Sequence, residues 1–139
     1  MDKFYYEQII EYILQKNLKD SVHFHFDISD PEVIFSDSKI ILLTSHSEGF
    51  PNVILEALSY NTIPICFDIE YGPNEIIENN DVGILIPNDK FSSSSYLSDC
   101  IVMAKENFSI NSNLINIKIE QFGYANVLKG FKKIINKYD

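Results

Sequence analysis

The stretch that most constrains this chain runs from Ile40 to Ala57. Ile40-Ile41-Leu42-Leu43-Thr44 is a short, continuous apolar run. That pattern reads as a strand buried on both faces, the usual state of a strand in a parallel sheet. Ser45-His46-Ser47-Glu48-Gly49-Phe50-Pro51-Asn52-Val53-Ile54-Leu55-Glu56-Ala57 follows directly. It predicts a tight loop centred on Gly49 and then a helix, with Pro51 near the first helical position, where its missing N–H costs nothing. A helix N-terminus then opens at the C-terminal end of a strand. In open α/β sheets ligands bind there, and the free N–H groups suit an anion such as a phosphate.

Two carboxylates frame the loop. Glu48 precedes the helix and Glu56 lies inside it. A carboxylate accepts hydrogen bonds and donates none at neutral pH, so the pair suits hydroxyl-rich groups better than the phosphate. Spacing alone is weak evidence. Glu70 and Glu78 are equally spaced, but Gly72-Pro73 falls between them, and that second pair reads as accidental. The strand, loop and helix around the first pair set it apart.

The rest of the chain supplies a frame. Tyr6, Ile9, Ile10, Ile13 and Leu14 recur at helical spacing and predict an amphipathic helix over 4–17. Val22-His23-Phe24-His25-Phe26 alternates and predicts a strand. His23 and His25 share its face, but no nearby carboxylate or cysteine completes a metal set, so they read as partly exposed histidines. Asp30 is positioned to cap a short helix from Pro31 to about Asp37. Ile63-Pro64-Ile65-Cys66-Phe67 and Gly83-Ile84-Leu85-Ile86-Pro87 are further strands, and a short helix opens at Asn74. Leu97, Ile101 and Ala104 predict a helix to about Glu106. One or two terminal helices follow from about Leu114, with a break near Gly123. Lys129, Lys132, Lys133 and Lys137 give the last helix a basic face. It reads either as a solvated face or as a peripheral contact with an anionic membrane surface. Alternating strands and helices predict one α/β domain with a Rossmann-like parallel sheet flanked by helices.

Composition narrows the function. The chain has 139 residues, 45% of them hydrophobic, which is enough for one cored domain. The net charge is −9, and every basic residue other than histidine is a lysine. A nucleic-acid binder, with its basic face, is disfavoured. Cys66 and Cys100 are too few for a disulfide scaffold, and no apolar run is long enough to span a membrane. The expected location is the cytoplasm, including the inner face of its membrane.

Glu48-Gly49-Phe50-Pro51-Asn52-Val53-Ile54-Leu55-Glu56-Ala57 resembles the E-x7-E signature of group 1 (family 4) glycosyltransferases. The resemblance extends through Val22-His23-Phe24, Asp30-Pro31, Gly72-Pro73-Asn74-Glu75-Ile76-Ile77 and Gly83-Ile84-Leu85-Ile86-Pro87. It implies a GT-B fold, and within it the C-terminal, nucleotide-sugar-binding half, truncated at its N-terminus. It implies that Glu48 positions the donor sugar and that Glu56 holds the ribose. The backbone of Gly49, Phe50, Pro51 and Asn52 would line the donor site, and main chain near Ile28 would hold the base. The implied enzyme is bacterial, retaining and metal-independent, with no cofactor. It would move a sugar from a nucleotide-sugar, a UDP-sugar above all, to a glycan or lipid-linked acceptor in surface polysaccharide synthesis. The pattern's Gly-rich loop and Arg…Lys pair have no counterpart here, and neither does the acceptor-binding half, so the chain alone is expected to be inactive. Phe26 stands where the family has a glycine. The alternatives are a non-catalytic nucleotide-sugar-binding or partner-dependent module, or a plain α/β interaction domain. If the two absent central strands are bypassed, 22–26 should pair with 40–44, giving four adjacent parallel strands ordered 22–26, 40–44, 63–67, 83–86.

Overall fold

A computed structural model describes residues 3–108, 111–123 and 126–129. Its elements are α1 (Lys3–Gln15), α2 (Pro31–Phe35), β1 (Ile40–Leu43), α3 (Asn52–Ser59), β2 (Ile63–Phe67), α4 (Pro73–Ile76), β3 (Ile84–Ile86), a 3-10 turn (Asn88–Lys90), α5 (Ser94–Asn107) and α6 (Ser112–Phe122). The sheet is parallel, in the order β1-β2-β3. The α/β architecture expected from the alternating pattern is therefore present.

The period of two along each strand sorts the core into two faces. Ile63, Ile65 and Phe67 of β2 pack with Ile84 and Ile86 of β3 against Cys100 and Ala104 of α5. Cys66 faces the other way, into a cluster with Ile54 and Leu58 of α3, Ile76 of α4, and Ile115 of α6. All five residues of β2 are buried, as expected for a central parallel strand. Pro64 sits in that strand although it has no N–H to donate. Its position is tolerated because the pairing with β3 begins one residue later, at Ile65. There Gly83 passes close by: a Cβ on it would lie 2.7 Å from both the ring and the carbonyl oxygen of Pro64.

Local chemistry explains the helix ends. Asp30 accepts from the Glu32 N–H at 3.0 Å and caps α2. Ser93 caps α5, and Asn111 caps α6. The buried Thr62 hydroxyl donates to the Ser38 carbonyl at 3.0 Å, tying the end of α2 to the start of β2. Pro51 lies one residue earlier than expected, at the N-cap of α3, and no side chain caps that helix.

The expected fourth strand is absent. Residues 22–26 form no ladder, and the outer edge of β1 pairs with no strand among the described residues. The alternation was real, but a different surface satisfies it. Phe24 and Phe26 stack at 6.2 Å, and Tyr6 of α1 meets them edge-on at 5.2 and 6.1 Å. Asp27 then takes a positive φ of 56°, which ends the extended run. The ring cluster on α1 thus holds the segment that was expected to join the sheet. Leu42 is left 44% exposed in mid-strand. Of the four lysines on which the membrane reading rests, Lys129 is described and Lys132, Lys133 and Lys137 lie outside the described residues.

Candidate functional site

Two loops leave the C-terminal ends of the adjacent strands β1 and β2 and pack together. The first carries His46, Ser47, Glu48, Gly49 and Phe50. The second carries Ile69, Glu70, Tyr71 and Gly72. Gly72 holds the junction. Its φ is +96°, and a Cβ there would sit 2.9 Å from Cδ of Pro51 and 3.3 Å from the Gly49 carbonyl oxygen. Only glycine meets both demands, the backbone conformation and the close approach. Gly49 differs: a Cβ there would meet nothing within 4 Å. The fold does not require a glycine at that point, and its backbone stays open to an approaching ligand.

Between the loops lies a cleft of about 190 Å³, lined by His46, Ser47, Glu48, Ile69, Glu70 and Tyr71. The His46 ring is set at 5.5 Å from Phe67 and 5.9 Å from Phe91, and those two rings stack at 4.0 Å. Glu48 is half-buried, and its charge reaches the buried Cys66. Burial pushes the Cys66 thiol up to about 12, and the Glu48 carboxylate adds to the rise. Such a thiol stays protonated and unreactive. Phe50 packs at 5.2 Å on Phe122, so α6 braces the first loop from its far side.

The sequence-predicted residues are distributed unevenly. Glu48 lines the cleft, with Gly49, Phe50 and Pro51 in the same loop and Asn52 opening α3. Glu56 is exposed on α3 and does not line the cleft. Ile28 lines a separate, larger cleft of about 500 Å³ with His25, Asp27, Val33, Ile34 and Ser38. The two clefts share no residue. Of Glu70 and Glu78, only Glu70 lines the cleft, and Glu78 pairs with Lys118 at 3.3 Å. The sequence reading missed Glu70 itself, along with His46 and Tyr71. Their signal was indirect: Glu70 and Tyr71 follow β2 as His46 and Glu48 follow β1, and adjacent parallel strands place such loops side by side. Among the described residues no three histidine, cysteine or acidic side chains gather as a metal set. None of the described helices is long and apolar enough to cross a membrane.

Known proteins resemble this chain in sequence and in fold. The family model described as glycosyl transferases group 1 matches residues 2–101. Poly(ribitol-phosphate) alpha-N-acetylglucosaminyltransferase of Staphylococcus aureus is 25% identical over 135 residues, which is 94% of this chain and 27% of that protein. The GtfA subunit of a UDP-N-acetylglucosamine–peptide N-acetylglucosaminyltransferase of Streptococcus pneumoniae is 38% identical over 71 residues, 51% of this chain and 13% of that one. The crystal structure of a mutant of S. aureus TarM, in complex with fondaparinux, alpha-GlcNAc-glycerol and UDP, superposes with a TM-score of 0.74 at 26% identity. It covers 94% of this chain and 27% of that one. The chain thus spans about a quarter of the length of these S. aureus proteins. The family match covers well over half of the chain and includes both loops and all three strands of the sheet, so this chain belongs to the group 1 glycosyltransferases.

Proposed function

We propose that this chain is the donor-binding part of a glycosyltransferase that takes its sugar from a UDP-sugar. The observation that carries the reading is the place of Glu48: a half-buried carboxylate in a cleft at the C-terminal ends of two parallel strands, beside the open backbone of Gly49. In this reading Glu48 accepts hydrogen bonds from the donor sugar. Glu56, exposed on α3, accepts from the ribose. The diphosphate meets the backbone around Gly49 and Phe50 ahead of α3, beside Pro51, which has no N–H, and Asn52, whose N–H donates to the Phe50 carbonyl at 3.0 Å. No side chain caps that helix, so its terminal dipole is available to the phosphate charge. The base lies against main chain near Ile28. The leaving diphosphate is stabilised by preorganised dipoles rather than by a metal, with retention at the sugar carbon. A glycan or lipid-linked acceptor binds to polypeptide beyond this chain, on the cytoplasmic side, in the building of a surface polymer. Two of the relatives are named for N-acetylglucosamine, which makes UDP-N-acetylglucosamine the first donor to test.

The test is calorimetric titration with UDP and with UDP-N-acetylglucosamine. A carboxylate on ribose hydroxyls makes bonds of roughly 1.5–3 kcal/mol each. Glu56→Ala should therefore weaken both ligands by about tenfold or more. Glu48→Ala should weaken UDP-N-acetylglucosamine and leave UDP nearly unchanged. Unchanged binding of both ligands in both variants removes the two carboxylates from the site. A second reading, a module that binds the nucleotide-sugar but acts only with a partner polypeptide, is favoured by the outer edge of β1, which pairs with no strand among the described residues.

A further inference from the structure

We propose that the cleft between the two loops is a sugar-ring subsite that selects an uncharged hexose, and that Glu70 is the residue that rejects uronates. This rests on the reading of Glu48 as a donor-sugar contact and names the class of sugar.

Size comes first. At about 190 Å³ the cleft is smaller than the roughly 300–1,000 Å³ typical of drug-sized ligands. It can take one ring of a nucleotide-sugar and not the whole molecule. The lining then sets the chemistry. Glu48 and Glu70 contribute two carboxylates from different strands' loops, and no lysine or arginine lines the cleft. Two carboxylates accept hydroxyl protons well and repel a third carboxylate brought between them. Ser47 and His46 add further hydrogen-bonding groups, and the rings of Phe67 and Phe91 pack beside His46. Tyr71 is 63% exposed at this cleft and offers an amphipathic ring face with a hydroxyl at its tip. Gly72, packed against Pro51 and Gly49, sets the backbone of the second loop against the first, and Glu70 stands exposed on it at the rim of the cleft. The arrangement suits a polyhydroxyl ring with or without an N-acyl group, and it opposes a sugar carrying its own carboxylate.

The experiment is calorimetry with UDP, UDP-N-acetylglucosamine and UDP-glucuronate. The parent chain should bind UDP-N-acetylglucosamine more tightly than UDP, and UDP-glucuronate no more tightly than UDP. Glu70→Gln keeps the size of the side chain and removes the charge. It should narrow the preference for the uncharged sugar by about tenfold while leaving UDP unchanged. Glu70→Lys should narrow it further. UDP binding with a sugar preference that neither variant changes overturns this inference and leaves the donor-site reading standing. No binding of UDP at all overturns the donor-site reading and this inference with it. Equal melting temperatures of parent and Glu70→Gln confirm that the comparison is between folded proteins.

Discussion

Cys66 shows how a site residue and a core residue share one balance. It faces the α3 and α6 side of β2, fully buried, with the Glu48 charge acting on it. Its thiol rises from 9.0 to about 12 in the folded chain. A thiol whose folded value is raised contributes stability that is intact below the unfolded value. That contribution is lost as pH climbs toward the folded value, because the unfolded chain releases a proton that the folded chain keeps. Between pH 9 and 12 this one group should lower stability by about 1.4 kcal/mol per pH unit. Urea midpoints of the parent and of Cys66→Ala, compared from pH 7 to 10.5, should converge as pH rises above 9. A constant gap would mean that the thiol ionises as readily in the folded chain as in the unfolded one. Residue types made Glu48 legible, because strand, glycine and helix follow one another along the chain around it. The place of Glu70 and Tyr71 beside Glu48 was not legible, because it depends on the adjacency of β1 and β2, and adjacency is not written in either loop.

At the scale of elements, α6 fastens the side of the sheet beneath the first loop. Its Ile115 enters the α3 cluster, its Phe122 meets Phe50, and its Lys118 is 5% exposed. Lys118 lies 3.3 Å from Glu78 and 3.7 Å from Asp81. The two partners are not equivalent. The Glu78 side chain is 58% exposed and that of Asp81 25%. One Asp81 oxygen is buried with no hydrogen-bond partner among the described residues. Losing the lysine strands the Asp81 charge far more than the Glu78 charge. Lys118→Ala should cost about 2 kcal/mol, below the usual cost of breaking a fully buried pair because water reaches the carboxylates. Asp81→Asn should cost more than Glu78→Gln in the same urea series. The reverse order would place the main pairing at the surface. The sequence placed α6 within two residues but gave no reason to expect a buried lysine on it, since a single cation on a helix face reads as solvated. The 22–26 segment failed in the opposite sense. Its pattern was strong, but a period of two reports only that alternate side chains share a surface, and the Tyr6 ring of α1 was that surface.

For the molecule as a whole, β2 is the central strand and β1 and β3 are the two edges; α5 covers one face, and among the described residues the outer edge of β1 pairs with no strand. The Ile63 N–H donates to the Lys39 carbonyl at 2.9 Å. In a parallel ladder that parity repeats, so Lys39, Ile41 and Leu43 turn their peptide groups toward β2, while Ile40 and Leu42 turn theirs outward. The strand should therefore carry an alternating record of solvent contact. In amide hydrogen exchange followed by NMR, Ile41 and Leu43 should be protected to the level of β2, and Ile40 and Leu42 should exchange within the dead time or close to it. Uniform protection along the four residues would show that the free chain covers this edge in solution. The same four amides make a reporter that needs no assay of transfer. Any polypeptide that completes the sheet must silence Ile40 and Leu42, and a ligand held only by the loops must leave those two amides exchanging as before.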